Sequence, residues 1–134
     1  MAGEVSVVIR QEADILAARK AARVIATRLR FTDTDLILVA TAISEIARNI
    51  LTYATSGEMI FEEAHELGRH GLVVTARDEG PGIPDVARAM QDGFSTGKGL
   101  GLGLPGARRL MDDFSIESAV GRGTVVVMKK WAAR

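Results

Sequence analysis

Glycine is concentrated in one part of this chain, since ten of its 14 glycines lie between Gly80 and Gly123. Glycine adopts backbone conformations that other residues avoid and weakens the interior of helices, so it marks loops and tight turns. The residues before Gly80 instead contain long runs with apolar side chains at helical spacing. The sequence therefore predicts long helices early in the chain, followed by shorter elements that glycine-containing loops connect.

Apolar periodicity gives the order of these elements. Long helices and strands that pair through turns favour an α+β sandwich, in which helices cover one face of a sheet. At 134 residues the chain is expected to form a single domain over 1–134. The predicted elements are a strand at 5–10, helices at 14–30 and from Thr32 or Asp33 to a stop at 56–57, strands at 59–63 and 72–77, a short helix from about 84, a helix through 107–111, and strands at 114–119 and 124–128.

Charge and residue usage exclude several classes of function. The 17 basic and 17 acidic side chains cancel, so no net field favours nucleic acid or an anionic membrane. The chain has no cysteine, which excludes a disulfide framework and a thiol nucleophile, and His65 and His70 are predicted to be exposed turn residues. No apolar run approaches the ~20 residues that span a bilayer, and 1–10 does not resemble a signal peptide. We therefore expect a soluble, cytoplasmic protein.

Glu45 and Asn49 lie four residues apart on the second predicted helix, so their side chains project from the same face. A carboxylate and a carboxamide in this arrangement can ligate a hydrated Mg²⁺ through oxygen atoms. The carboxylate can also accept a proton from an attacking hydroxyl or water. The alternative interpretation is a solvated polar stripe in which Glu45 pairs with Arg48.

The segment 78–84 follows a predicted strand and contains Asp78, Gly80 and Gly82. A carboxylate at the end of a strand can accept a hydrogen bond from an exocyclic amino group such as that of adenine. Two glycines after it allow the backbone to approach a ligand closely. An ordinary turn before a proline-started helix uses the same residue types, so both interpretations stay open at this point.

The most unusual segment is 97–106, which alternates glycine with Lys98 and three leucines. Its backbone N–H groups can converge on an anion, and Lys98 can supply positive charge to a phosphate. The alternative is a flexible loop with small residues for helix packing. A P-loop is excluded because Gly99 stands where that motif needs a hydroxyl. A Rossmann fingerprint is excluded because no strand precedes the segment and too little chain follows it.

The order of these motifs is more specific than any one of them. Four segments of the chain resemble, in order, the sequence motifs of GHKL ATPases that are called the N, G1, G2 and G3 boxes. These segments are 45–49, 78–82, 99–103 and 123–124. Within that superfamily, 44–50, 92–96 and 101–106 are similar to RsbT-type serine/threonine kinases. The resemblance implies a Bergerat fold, a two-layer α/β sandwich in which helices cover one face of a mixed sheet.

The resemblance also implies roles for individual residues. Glu45 would be the general base that accepts the substrate hydroxyl proton, and together with Asn49 it would ligate Mg²⁺. Asp78 would bind the adenine amino group of ATP. The adenine pocket would be completed by Gly80, Gly82, Ile83 and Thr124. The lid over the phosphates would contain Lys98, Gly99, Leu100, Gly101, Leu102 and Gly103.

The implied role is that of a switch kinase in the stressosome. Such a kinase uses ATP and Mg²⁺ to phosphorylate STAS-domain proteins of the RsbS or RsbR kind, and once released it activates a PP2C-type phosphatase like RsbU. The sequence leaves a homodimer open. The alternatives are an anti-sigma factor kinase of the RsbW or SpoIIAB kind, a histidine-kinase catalytic domain, and a non-catalytic ATP-binding partner-switch module. The segment 50–54 lacks the histidine usual in anti-sigma factors, which disfavours that class. The presence of both Glu45 and Asn49 disfavours a non-catalytic module, because a protein that only binds ATP needs no general base.

Overall fold

The computed structural model describes residues 3–83, 86–90 and 103–133. Within these ranges the chain forms helices and strands close to the predicted positions. In chain order they are β1 (Val5–Ile9), α1 (Glu12–Arg28), α2 (Asp33–Tyr53), β2 (Gly57–Glu66), β3 (Arg69–Asp78), α3 (Val86–Ala89), α4 (Gly103–Leu110), β4 (Asp113–Ala119) and β5 (Gly123–Trp131).

The strands form one five-stranded sheet with the order β1-β2-β3-β5-β4. Every neighbouring pair is antiparallel, so the expectation of a mixed sheet is wrong for the described strands. The strands β3 and β4 run in the same direction, but β5 lies between them and pairs with both. A parallel ladder needs two such strands side by side, and the insertion of β5 prevents this.

The two long helices pack on one face of the sheet, which confirms the predicted α+β sandwich. The predicted N-cap of α2 is also confirmed, because Oγ1 of Thr32 accepts a hydrogen bond from the backbone N–H of Asp35 at 3.1 Å. At the start of α1, Oδ2 of Asp14 accepts hydrogen bonds from the backbone N–H groups of Arg10 and Gln11 at 2.8 and 3.1 Å. Thr32 thus satisfies a backbone donor in the first turn of α2, and Asp14 pairs two donors directly before α1.

The hydrophobic core lies between the helices and alternate residues of the strands, whose side chains share one face of the sheet. Phe61 of β2 and Val74 of β3 are fully buried, whereas Ile60 on the opposite face is half-buried. The helices contribute Ile15, Ile25, Val39, Ile43 and Ile46 to the same core. This packing fixes α2 against the sheet and so positions the polar side chains on its last turns.

The helix α2 is apolar enough to pass a membrane-span test based on length and composition, with a mean hydropathy of 1.3. The expectation that no apolar run reaches this length therefore needs correction for Asp33–Tyr53. In the structure Ile43, Ile46 and Ala47 of this helix are buried in the core. The core helix of a globular domain passes the same test, so its composition alone does not indicate a membrane span.

The turn between β2 and β3 is tighter than predicted, since only Leu67 and Gly68 separate the two strands. His65 and His70 are exposed as expected, but they lie opposite each other in these strands and not in the turn. Their Nδ1 atoms are 2.6 Å apart. No group of three or more His, Cys, Asp or Glu side chains that could hold a metal occurs within the described ranges.

Candidate functional site

Three polar side chains form a row across one end of the sheet. In the strand register, Asp78 of β3 lies opposite Thr124 of β5, and Thr124 lies opposite Ser118 of β4. Thr124 is only 7% exposed, although it is polar. Its Oγ1 lies 2.8 Å from Oγ of Ser118, within hydrogen-bond distance. Backbone pairing of three strands therefore holds one carboxylate and two hydroxyl groups at fixed positions.

Asp78 is half-buried at the end of β3, and one of its carboxylate oxygens is engaged within the protein. Its Oδ1 accepts a hydrogen bond from the backbone N–H of Gly80 at 2.9 Å. No residue of the described part of the chain donates a hydrogen bond to its Oδ2. An ionised carboxylate only accepts hydrogen bonds, so this oxygen suits a ligand with an N–H donor such as an exocyclic amino group.

The loop that follows β3 runs very close to two neighbouring backbones, and glycines make this approach feasible. A Cβ at Gly82, which has φ +81°, would lie 2.1 Å from the carbonyl oxygen of Ala119. A Cβ at Gly80 would lie 2.6 Å from Cβ of Ala54, directly after the end of α2. The loop is therefore clamped between α2 and the β4–β5 hairpin, beside the carboxylate of Asp78.

Ser118 connects this loop to the sheet, and it was not among the predicted site residues. Its Oγ accepts a hydrogen bond from the backbone N–H of Ile83 at 2.7 Å and donates to the carbonyl oxygen of Gly123 at 3.0 Å. A hydroxyl has one proton, so the third contact, with Thr124, requires Oγ1 of Thr124 to be the donor. The predicted 121–123 turn indicates that these two strands pair, but a hairpin centred on it would place Ser118 opposite Val126. The observed register is centred on Gly121 and places Ser118 opposite Thr124, so the sequence alone did not identify Ser118.

Glu45 is buried in α2, with 6% of its surface exposed. Its Oε1 accepts a hydrogen bond from the backbone N–H of Gly103 at 2.9 Å, at the first residue of α4. The partial positive charge at the start of a helix favours a carboxylate in this position. Asn49 lies one turn further along α2 and is half-buried. A single surface of α2 thus presents a carboxylate and a carboxamide, as predicted.

The two groups of polar residues meet at the C-terminal end of α2. A Cβ built on Gly57 would lie 2.9 Å from Cγ2 of Ile50 and 3.2 Å from Cβ of Asp78. Ile50 directly follows Asn49 in α2, so the last turns of this helix lie beside the strand end that carries Asp78. The fold therefore brings the predicted N and G1 segments together, although about 30 residues separate them in the chain.

The donor set on α2 is compatible with a magnesium ion. Glu45 and Asn49 offer oxygen ligands, and Mg²⁺ is commonly held by one or two protein oxygens together with water and substrate phosphates. In the segment predicted to cover the phosphates, the structure describes Gly103, where α4 begins. The other residues predicted there lie outside the described ranges: Lys98, Gly99, Leu100, Gly101 and Leu102.

Comparison with known proteins identifies the family of this chain. Residues 10–130 match the histidine kinase-like ATPase domain family. The chain is 50% identical over 123 residues to the serine/threonine-protein kinase RsbT of Bacillus subtilis (strain 168), a match that covers 92% of each protein. It is 31% identical over 121 residues to an anti-sigma F factor of Caldanaerobacter subterraneus subsp. tengcongensis, covering 87% of this chain and 85% of that protein.

Solved structures of two other proteins share the fold. One is a Mycobacterium tuberculosis protein with RsbU and RsbW domains, which matches 99% of this chain with a TM-score of 0.68 at 15% identity. This chain corresponds to 34% of the length of that structure. The other is the mycobacterial sensor histidine kinase MprB, with a TM-score of 0.57 at 13% identity over 98% of both chains. At such low identity these two likenesses establish the fold alone.

The family match along nearly the whole chain defines the class of protein. The chain belongs to the histidine kinase-like ATPase family, whose members use ATP. Within this family it belongs with the RsbT-type serine/threonine-protein kinases, because half of its residues are identical to one of them along nearly the whole of both chains. The resemblance predicted from the four motifs is therefore confirmed.

Proposed function

We propose that this protein is a serine/threonine kinase that transfers phosphate from Mg-ATP to STAS-domain proteins. The observation that carries the proposal is 50% identity with an RsbT kinase along a chain that retains a buried carboxylate, Glu45, one turn from Asn49. A protein that only binds nucleotide needs no base at this position. The paired residues therefore favour phosphoryl transfer over a non-catalytic switch.

In the proposed reaction the polar groups divide between nucleotide binding and proton transfer, and Glu45 takes part in both. Asp78 accepts a hydrogen bond from the adenine amino group through its free oxygen, and the loop at Gly80 and Gly82 lies against the base. Asn49, with Glu45, ligates the Mg²⁺ that neutralises charge on the phosphates. Phosphoryl transfer depends mainly on positioning and charge stabilisation, so few chemically active side chains are needed.

The transfer step itself needs one proton acceptor. The hydroxyl oxygen of the substrate serine or threonine forms a bond to the γ-phosphorus, while the bond from that phosphorus to the β–γ bridging oxygen breaks and ADP leaves. Glu45 takes up the proton of the attacking hydroxyl. Its Oε1 accepts the hydrogen bond from the N–H of Gly103, so the proton is taken up by the other carboxylate oxygen.

We further propose that the protein acts in the cytoplasm as a stressosome kinase. Its STAS-domain substrates would resemble RsbS and RsbR, and after release the kinase would activate a PP2C-type phosphatase resembling RsbU. The RsbT relative supports this assignment over an anti-sigma factor, because identity to the anti-sigma F factor of Caldanaerobacter subterraneus is lower, at 31%. Co-purification with a STAS-domain protein, and not with a sigma factor, is the expected result.

The decisive experiment measures transfer of labelled phosphate from Mg-ATP to a purified STAS-domain protein. Glu45→Gln should bind ATP but transfer at least about 100-fold more slowly, because the amide keeps an oxygen for Gly103 yet cannot take a proton. Asn49→Ala should lose Mg²⁺-dependent nucleotide binding. Asp78→Asn should lower the affinity for ATP without changing the affinity for inorganic triphosphate. Unaltered turnover in Glu45→Gln would remove it from the base role, and unaltered ATP affinity in the other two variants would refute the site.

A further inference from the structure

A shallow groove of about 270 Å³ lies between α1 and α2 on the surface of the molecule. Small residues form its floor, since Ala22 and Ala26 are buried and Ala40 is half-buried. Its walls are aliphatic and include Leu16, which is 52% exposed, and Leu36. A row of small side chains between aliphatic ridges is a shape into which the side chains of another helix can pack.

One rim of the groove is strongly basic. Arg19, Lys20 and Arg23 line it from α1, and all three are exposed. None of them forms a salt bridge with any residue in the part of the chain that the structure describes. Two other arginines on these helices are paired, at 2.7 Å: Arg28 with Glu63 and Arg48 with Glu12. The rim therefore concentrates positive charge that the fold does not neutralise.

The combination of an apolar groove and an unneutralised basic rim identifies the kind of partner that fits. We propose that this groove binds an acidic amphipathic helix of another protein, with apolar side chains over the alanine floor and carboxylates against Arg19, Lys20 and Arg23. A second copy of this chain is a poor occupant. In the described helices the acidic residues lie in the first turns of α1 and α2 or, for Glu45, are buried.

The groove is separate from the proposed catalytic residues, although both involve α2. At about 100° per residue, Glu45 and Asn49 lie roughly 130–170° around the helix from the mean direction of the groove residues Leu36, Val39 and Ala40. A helix in the groove would therefore leave the nucleotide side of α2 open. The proposal concerns partner recognition, goes beyond the phosphotransfer reaction and does not depend on it.

The test uses the full chain and a fluorescent synthetic helical peptide that has one leucine stripe flanked by glutamates. The peptide should bind saturably, and the double variant Arg19→Glu/Arg23→Glu should bind it about ten-fold more weakly, since two exposed ion pairs become repulsive. A matched peptide with lysine in place of glutamate should show the reverse preference and bind the double variant better. This gain of binding shows that the variant is folded. The control is Arg30→Glu, which replaces an exposed arginine just after the end of α1. This variant should change the affinity for neither peptide.

Further outcomes separate this proposal from the kinase assignment. Asn49→Ala should bind the acidic peptide normally, and the double variant should bind ATP normally. Absence of saturable peptide binding up to millimolar concentration, or equal binding of both peptides, would overturn the proposal. Co-sedimentation with phosphatidylserine vesicles that is lost in the double variant would also overturn the proposal, because the groove would then bind a membrane. A concentration-dependent dimer that Leu16→Asp dissociates would overturn it too, because the groove would then bind a second copy of the chain.

Discussion

Ser118 offers the sharpest test of how the nucleotide site is held together. Replacement by alanine removes a hydroxyl that accepts from Ile83, donates to Gly123 and contacts Thr124, at 2.7, 3.0 and 2.8 Å. A net contribution of about 0.5–1.5 kcal/mol per hydrogen bond, with water replacing part of the loss at a half-buried site, gives about 1–3 kcal/mol. For a domain of this size that corresponds to a decrease in Tm of roughly 3–10 °C.

The effect on nucleotide affinity should accompany the effect on stability. Without the contact to Ile83, the loop beside Asp78 loses its link to β4, so the free carboxylate oxygen is less well positioned. We expect ATP affinity to fall about five- to ten-fold, equivalent to about 1 kcal/mol. Thermal unfolding and isothermal titration with ATP measure the two effects separately.

Ser115→Ala is the matched control for this prediction. Ser115 lies on the same strand, three residues earlier, where it is exposed on the other face of the sheet. Its replacement should change stability by less than about 0.5 kcal/mol and leave ATP affinity unchanged. If Ser118→Ala behaves like Ser115→Ala in both measurements, the reasoning that Ser118 fixes the loop is refuted.

The remaining predictions concern backbone geometry and one ion pair. Gly123→Ala should destabilise the fold by about 2 kcal/mol more than Gly121→Ala. Both glycines have positive φ, but only a Cβ at 123 would meet a neighbour, 2.0 Å from the carbonyl oxygen of Asp78. Equal losses of stability in thermal unfolding would argue against this close approach. The hydrogen bond from Arg28 lowers the pKa of Glu63 below its usual 4.5, so this pairing stabilises the fold above that pH and the stabilisation is lost as pH falls through the lowered pKa. The difference in unfolding free energy between wild type and Arg28→Gln should therefore disappear in acid, and a difference that persists at pH 2 would contradict the assignment.

Local sequence signals predicted much of α2 and of the polar pair that it carries. Thr32 caps the helix by accepting a hydrogen bond from a residue only three positions later in the chain. Glu45 and Asn49 share a face because of helical periodicity alone. The alternating burial of β2 and β3 follows from the same kind of short-range pattern. Such features depend on neighbours within a few positions, which the sequence displays directly.

Features that depend on distant residues could not be predicted in the same way. The hydrogen bond between Glu45 and the N–H of Gly103 joins positions 58 residues apart, and no periodicity indicates it. The antiparallel sheet order arises because the last strand inserts between β3 and β4, which is a global choice of topology. The roles proposed for Lys98 and its neighbours stay predictions, since those residues lie outside the described ranges.

The position of β5 has a consequence for how the protein comes to be active in the cell. Of the described strands β5 leaves the ribosome last, yet it occupies the sheet between β3 and β4. Among the described strands β4 pairs only with β5, and until β5 inserts the row beside Asp78 lacks Thr124. The pairing of β5 with β4 is a local hairpin, but its pairing with β3, far earlier in the chain, is slow compared with helix formation. Nascent or C-terminally clipped chains should therefore lack a working ATP site, so that kinase activity appears only with the finished fold.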